Sequence, residues 1–224
     1  MAFSPRYKEA GNELMSSNPS PIRILAVDDH QLIRVGIATL LLAESDLKLV
    51  GEASNGREAI AKFRECHPDV TLMDIQMPEI NGFDAIVAIR DEYPGARIIV
   101  LTTYVGDAQV QRAIRAGAQG YLLKNLLHKE LVQTIRTVHG GRKAMSAAAA
   151  AQIVEHTGDE GLSPKEIDVL RLIAGGNANK EIATRLSVTE ETIKSRVKNI
   201  LEKLSANDRT HAVTIGLKRG IIEL

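Results

Sequence analysis

Residues 22–29 read Ile-Arg-Ile-Leu-Ala-Val-Asp-Asp, a short apolar run that ends in two adjacent carboxylates. Three later runs of the same kind also end at a polar or charged residue. They are Val70–Met73 before Asp74, Arg97–Leu101 before Thr102, and Tyr121–Leu123 before Lys124. Apolar runs of this length predict strands buried on both faces, as in a parallel sheet. Because ligands of such sheets bind beyond the carboxyl ends of the strands, we expect these terminal residues to converge.

Between residues 21 and 142 the predicted strands alternate five times with helical patterns. The first helix carries Ile33, Ile37 and Leu40 at the spacing of a buried stripe, and the last carries Leu131 and Ile135 in the same way. Glycine, asparagine or proline marks most of the joins. This alternation predicts a doubly wound α/β domain with a five-stranded parallel sheet.

From residue 162 to residue 224 the pattern is helical throughout. Ser163 to Glu166 form a capping box with proline at the first helical position, and Thr189 is a natural N-cap for a later helix. On that later helix the apolar residues fall on one face. The opposite face carries Glu191, Lys194, Ser195, Lys198 and Glu202. An all-α domain is therefore predicted after the α/β domain, with residues 143–161 as a helical linker and loop that is most open at 157–161.

Composition limits the classes of protein to consider. With 44% hydrophobic residues in 224, the chain can bury a good core, in one large domain or in two small ones, while its single cysteine, Cys66, excludes an internal disulfide. We find no apolar stretch long enough to span a bilayer, and residues 1–20 lack the apolar region of a secretory signal. We expect a cytoplasmic protein without membrane contact and with a disordered extension at 1–20. Residues 162–224 hold eleven basic and eight acidic residues, a net charge of +3.

The strand-end residues of the first domain suit a phosphoryl-transfer site. Asp28, Asp29 and Asp74 offer the oxygen ligands that Mg²⁺ prefers. Lys124 can offset their mutual repulsion and hold a phosphoryl oxygen, and the Thr102 hydroxyl can donate to another. Asp74 is then the nucleophile of an aspartyl-phosphate reaction. Taken singly, each residue also has a plainer interpretation, such as a helix cap or a solvated lysine.

The same residues resemble the receiver domains of bacterial two-component response regulators. The motifs that carry the resemblance are Ala26–His30, Leu72–Pro78, Val100–Thr102 and Gly120–Lys124. The resemblance implies a flavodoxin-like fold over about residues 21–142 and a histidine kinase that phosphorylates Asp74. It further implies that the Gln76 carbonyl completes the Mg²⁺ shell, and that Thr102 and Tyr121 act as a switch. For Tyr121 alone, a packing aromatic is the simpler interpretation.

The second domain resembles the LuxR-type helix-turn-helix, so the whole chain resembles response regulators of the NarL/FixJ type. In that family the third helix of the domain reads DNA, which implies that Lys194, Ser195 and Lys198 face base edges. Four further residues become candidates for DNA phosphate contacts: Asn179, Lys180, Thr192 and Arg196. A solvated charged face remains the alternative for the lysines. Ala178 departs from the usual Ser or Thr cap, and Asn177 is a possible substitute.

These features predict a phosphorylation-dependent, DNA-binding transcriptional regulator, and not an enzyme. Its expected partners are a sensor histidine kinase, double-stranded DNA and a second copy of the chain. One alternative is an aspartate-nucleophile phosphohydrolase of the haloacid dehalogenase type, but such enzymes carry Asp-x-Asp and this chain has adjacent Asp28 and Asp29. The other alternative is an interaction module that works without phosphorylation.

Overall fold

The computed structural model describes residues 20–103, 106–147, 149–151 and 161–222. Most of the predicted N-terminal extension at 1–20 and the open stretch at 157–161 lie outside the described residues. The described part of the chain forms an α/β domain followed by a helical domain, as predicted. Within that part, no helix is long and apolar enough to cross a membrane.

The first domain is built on a fully parallel sheet. The strands are β1 (Ile22–Val27), β2 (Leu47–Ala53), β3 (Val70–Asp74), β4 (Ile98–Thr102), β5 (Gly120–Leu123) and β6 (Ala144–Met145). They lie in the order β2-β1-β3-β4-β5-β6. The five predicted strands are confirmed, and the short β6 is an addition that pairs with β5 at the edge of the sheet.

Helices cover both faces of this sheet. They are α1 (Gln31–Leu42), α2 (Gly56–Cys66), α3 (Gly82–Glu92), α4 (Asp107–Ala116) and α5 (Leu127–His139). Side chains alternate between the faces along each strand. Thus Ile24 and Ala26 pack with α1 and α5, whereas Leu25 and Val27 pack with α2, α3 and α4. The chain direction across the sheet reverses at the boundary between β1 and β3, which is where ligands of such folds bind.

The second domain consists of helices with a core of their own. They are α6 (Pro164–Ala174), α7 (Asn179–Arg185), α8 (Glu190–Lys203) and α9 (Arg209–Lys218). The predicted capping box at Ser163 and Glu166 is present, and Thr189 caps α8 by accepting from the Thr192 amide at 3.2 Å. Buried Val169, Leu170 and Ile193 are part of a separate hydrophobic cluster.

The cap of α7 differs from the suggested substitute. Asn177 does not cap this helix, because its side-chain amide donates to the Leu172 carbonyl at 2.8 Å. The Glu181 carboxylate instead accepts from the Ala178 amide at 2.7 Å. A carboxylate in the first turn also interacts favourably with the helix dipole. Hence α7 begins at Asn179 with half of a capping box, the half that needs no hydroxyl at position 178.

Candidate functional site

The strand-end residues converge as the sequence predicts. Asp28 follows β1, Asp74 ends β3 and Lys124 follows β5, and the three side chains meet at the carboxyl edge of the sheet. The Lys124 ammonium lies 2.7 Å from an Asp28 oxygen and 2.8 Å from an Asp74 oxygen. Both aspartates are almost completely buried, at 0% and 1% exposure. The Lys124 ammonium therefore neutralises part of the negative charge of the two buried carboxylates.

Burial sets the proton affinities of this cluster. Burial raises the pKa of Asp74 above its usual value, and hydrogen bonding to Lys124 only partly offsets the rise. For Lys124, burial alone would lower the pKa, but hydrogen bonds to Asp28 and Asp74 raise it overall. Both shifts favour retention of protons beside crowded carboxylates. A divalent cation bound here would neutralise the carboxylates, as the retained protons otherwise do.

Four side chains offer metal ligands in one small volume. One ligand atom each from Asp28, Asp29, His30 and Asp74 lies within 4.8 Å of the others. The His30 Nδ1 atom is 2.7 Å from an Asp29 oxygen, and the His30 amide donates to Asp28 at 2.9 Å. The three carboxylates fit a hard cation such as Mg²⁺. His30 was not among the predicted site residues, although its position beside the acidic pair was a usable signal.

Gln76 was expected to contribute its carbonyl to the metal. Its backbone amide donates to an Asp74 oxygen at 3.2 Å, which fixes the Asp74 carboxylate against the following loop. The start of α3 lies so close to β3 that a side chain on Gly82 would collide with the Asp74 carbonyl oxygen. Only glycine fits at that position. The role of the Gln76 carbonyl in binding a metal stays a prediction.

Thr102 and Tyr121 are both buried and contact each other. Thr102 ends β4, is 1% exposed, and its hydroxyl is hydrogen-bonded to Tyr121. Burial raises the pKa of Tyr121 to about 12, and the hydrogen bond to Thr102 opposes this rise. The tyrosine ring lies inside the domain at 2% exposure, and the predicted role of Thr102 and Tyr121 as a switch stays a prediction.

Arg34 supports the acidic loop from outside the cluster. Its guanidinium donates to the Asp28 carbonyl at 2.7 Å and to the Glu52 carboxylate at 3.1 Å. The contact ties α1 and β2 to the backbone between β1 and α1. Sequence reasoning missed Arg34, because a single arginine on an amphipathic helix gives no pattern that distinguishes a positioning role from solvation.

Helix α8 presents the predicted polar face to solvent. Lys194 and Lys198 are 54% and 76% exposed, and among the described residues they pair only with acidic residues of their own helix, at 3.6 to 3.8 Å. Ser195 is exposed between them, whereas Arg196 is half-buried. Exposed pairs of this kind contribute little to stability, so the ammonium groups remain available to an anionic partner.

The remaining predicted DNA contacts lie on two helix starts. Asn179 and Lys180 open α7, and Lys180 is exposed. The Thr192 hydroxyl lies 2.8 Å from the Thr189 hydroxyl at the start of α8. Asn199, next to Lys198, is also exposed.

Two family models match this arrangement of domains. The response regulator receiver domain matches residues 24–136, and the luxR family of bacterial regulatory proteins matches residues 160–215. Together they cover the acidic cluster and the exposed face of α8. The fold and the matches thus define a class of protein in which an α/β domain with a strand-end aspartate site is followed by a helix-turn-helix domain.

Similar proteins have the same two-part organisation. The response regulator protein VraR of Staphylococcus aureus is 35% identical over 207 residues, covering 90% of this chain and 99% of VraR. RcsB of Salmonella enterica serovar Typhimurium, solved bound to promoter DNA with the phosphomimetic BeF3⁻, is 26% identical. That structure has a TM-score of 0.69 and covers 90% of this chain and 100% of RcsB. A LuxR-family response regulator from Aurantimonas sp. is 38% identical over 62% of this chain and 99% of its own, with a TM-score of 0.59.

The chain belongs to the two-component response regulators that join a receiver domain to a LuxR-type DNA-binding domain. It is therefore a DNA-binding response regulator. The phosphohydrolase and the phosphorylation-independent module, the two alternatives raised by the sequence, are not favoured by this membership.

Proposed function

We propose that Asp74 accepts a phosphoryl group from a histidine kinase, and that phosphorylation controls DNA binding by a homodimer. The observation that carries the proposal is the buried Asp28-Lys124-Asp74 cluster, in which the ammonium lies within 2.8 Å of both carboxylates. The Lys124 ammonium in this position can pair with the Asp74 carboxylate before phosphorylation and with the phosphoryl group afterwards. The acidic residues beside it supply metal ligands.

In the proposed reaction an Asp74 oxygen attacks the phosphorus of a phosphohistidine on the kinase. A bond between oxygen and phosphorus forms as the bond between phosphorus and the imidazole nitrogen breaks, and the imidazole leaves with the electron pair. Mg²⁺ held by Asp28, Asp29, Asp74 and the Gln76 carbonyl would neutralise charge on the transferred group. Lys124 then pairs with one phosphoryl oxygen and the Thr102 hydroxyl donates to another.

The DNA-binding half of the proposal rests on charge and exposure. The exposed lysines of α8 lie on a helix whose opposite face packs into a core, which is the arrangement of a helix that enters the major groove. RcsB has been solved as two dimers bound to two DNAs. A dimer of this chain would read two half-sites with the same helix from each copy.

The test of the phosphoacceptor is intact-mass spectrometry after incubation with acetyl phosphate and Mg²⁺. The wild type should gain one phosphoryl group and Asp74→Asn none. Asp91→Asn, which changes an exposed carboxylate of α3, is the matched control and should behave like the wild type. An undiminished adduct on Asp74→Asn would refute the assignment. Sedimentation of the phosphorylated protein on a duplex with two half-sites then tests for the dimer.

A further inference from the structure

An open cleft lies between helix α4 of the receiver domain and the start of the helical domain. Its volume is about 680 Å³, which is within the range of sites that hold small organic molecules. Helix α4 supplies one wall, and α6 with the residues after α9 supplies the other. Among the described residues, neither the acidic cluster nor α8 contributes to the lining, so the cleft is separate from both predicted sites.

The cleft is positively charged in a protein that is neutral as a whole. Four arginines and two aspartates line it, a formal charge of +2, whereas the whole chain has a net charge of zero. One of the arginines is already neutralised, because Arg219 donates to the two oxygens of Asp107 at 2.6 and 2.9 Å. The excess charge therefore lies among the other three, Arg112, Arg115 and Arg171.

The two arginines of α4 have little to bind within the protein. Arg112 and Arg115 are three residues apart and share a face of the helix. The guanidinium of Arg112 lies 4.2 Å from the centre of the Phe83 ring, while its contact with Asp84 is long, at 3.9 Å. Stacking on a ring fixes the plane of a guanidinium and leaves the N–H groups at its edge able to donate. Among the described residues, Arg115 donates only to the neutral Gln111 side chain, at 3.4 Å.

Arg171 lines the opposite wall of the cleft, on α6. Its contact with Asp168 of the same helix measures 3.3 Å, and both side chains are about half exposed, so the pair contributes little. Elsewhere an arginine is held more closely, as Arg64 is by Glu92 at 2.6 Å. Charge-assisted hydrogen bonds of full strength are about 2.7 to 2.9 Å long. The described residues thus leave donor capacity for anionic oxygens on both walls.

Apolar side chains line the rest of the cleft. Leu162, Ile167 and Ile221 are only partly buried, and Pro164 at the start of α6 is exposed. A molecule that covers them gains from the removal of apolar surface from water. An inorganic ion would leave this surface wet, and a neutral apolar molecule would leave the guanidinium groups without an anionic partner.

We propose that this cleft binds a small organic anion, a molecule that carries a carboxylate, sulfonate or phosphate group on an aromatic or aliphatic body. Arg112, Arg115 and Arg171 donate to the anionic oxygens, and the body of the molecule covers Ile167 and Ile221. The site does not involve Asp74. Binding therefore requires neither phosphorylation nor Mg²⁺.

The probe for this site is anilinonaphthalene sulfonate, an aromatic anion whose fluorescence rises when it leaves water. It is titrated into the full-length, unphosphorylated protein without Mg²⁺ or DNA. Arg115→Gln and Arg171→Gln should each raise its dissociation constant about fivefold or more, since each removes a charged donor. Asp168→Asn should lower the dissociation constant, because it removes the acid that competes for Arg171. Arg57→Gln, which changes an exposed arginine of α2 outside the cleft, should match the wild type.

Competition for the probe identifies the class of ligand. Naphthoate should displace the probe, whereas its neutral amide, naphthamide, and inorganic phosphate should not do so at the same concentration. Displacement by naphthamide as efficient as that by naphthoate would make the cleft a merely apolar groove, and equal displacement by phosphate would make it a simple anion site. Either result overturns the proposal. Unchanged probe affinity in Arg115→Gln or Arg171→Gln, with folding checked by circular dichroism, overturns it as well, because the probe then binds elsewhere.

Discussion

At the scale of single residues, the acidic cluster is a compromise between stability and chemistry. Asp74 is nearly fully buried beside Asp28, and burial raises its pKa. Ionised Asp74 is thus costly in the folded state, and Lys124 removes only part of the cost. A group kept for reactivity in this way weakens the fold that holds it.

Asp74→Asn should therefore stabilise the metal-free protein at neutral pH. Asparagine has the same shape but no charge to bury, and we expect a gain of about 1 kcal/mol in the free energy of unfolding. Because the folded-state pKa of Asp74 is raised, ionisation lowers stability as pH rises above 3.8, its usual value. The difference in the free energy of unfolding between the wild type and Asp74→Asn should thus appear as pH rises above 3.8 and vanish below that pH.

Urea unfolding in a chelator, repeated across pH 3 to 8, measures this difference, with Asp91→Asn as the control for loss of an exposed carboxylate. Mg²⁺ should stabilise the wild type more than Asp74→Asn, since the variant has one ligand fewer. A variant that is less stable than the wild type at neutral pH would show that the hydrogen bond to Lys124 outweighs the burial of charge.

The strand-end residues could be predicted because the rule behind them is topological. Asp28, Asp74, Thr102 and Lys124 each follow an apolar run, and parallel strands bring such positions together however far apart they lie in sequence. Their exact pairing was not predictable. Lys124 contacts Asp28 and Asp74, while Arg34 holds the Asp28 carbonyl, and these choices depend on side-chain packing that leaves no periodic signal.

At the scale of elements, α8 combines a buried apolar face with an exposed polar one. Its helical period and N-cap were readable from the sequence, and both are confirmed. The lysines of the exposed face make only long ion pairs with acidic residues of α8 in the described part of the domain, so their charge remains accessible to an anionic partner. By contrast β6 has two residues, too few for a period of two to be recognised, and it was missed for that reason.

We expect the lysines of α8 to determine sequence preference. Lys194→Ala and Lys198→Ala should each weaken binding to the specific operator by about 1 to 3 kcal/mol and relax its selectivity. Lys180→Ala and Arg196→Ala should weaken binding to specific and to random DNA alike. Each should also reduce the slope of log affinity against log salt concentration by about 1, because each phosphate contact releases a counterion. Salt titrations on specific and scrambled duplexes separate the two effects.

The control is Lys165→Ala, which removes the same charge from the exposed start of α6. It should leave selectivity unchanged. If Lys194→Ala and Lys198→Ala bind both duplexes as the wild type does, the polar face of α8 is simply solvated and another surface reads DNA.

At the scale of the whole molecule, the two domains are joined by a linker and by an ion pair between Asp107, at the start of α4, and Arg219, at the end of α9. The cores were predictable, since each domain has its own periodic pattern. The ion pair was not. Asp107 and Arg219 are 112 residues apart, and each lies at a helix end where a charge complementary to the dipole is common. Only the three-dimensional structure shows that these two ordinary features meet.

The short strand β6 has a practical consequence for anyone who divides the protein. It pairs Ala144 and Met145 with Gly120 and Tyr121, so β5 is not the outer strand of the sheet. An uncovered strand edge is a template for self-association. A receiver fragment of residues 20–142 should therefore aggregate, whereas one of residues 20–151 should stay monodisperse at the same concentration, as size-exclusion chromatography with light scattering would show. Equal behaviour of the two fragments would mean that β5 tolerates an open edge; otherwise, a strand of only two residues decides whether the receiver domain stays soluble on its own.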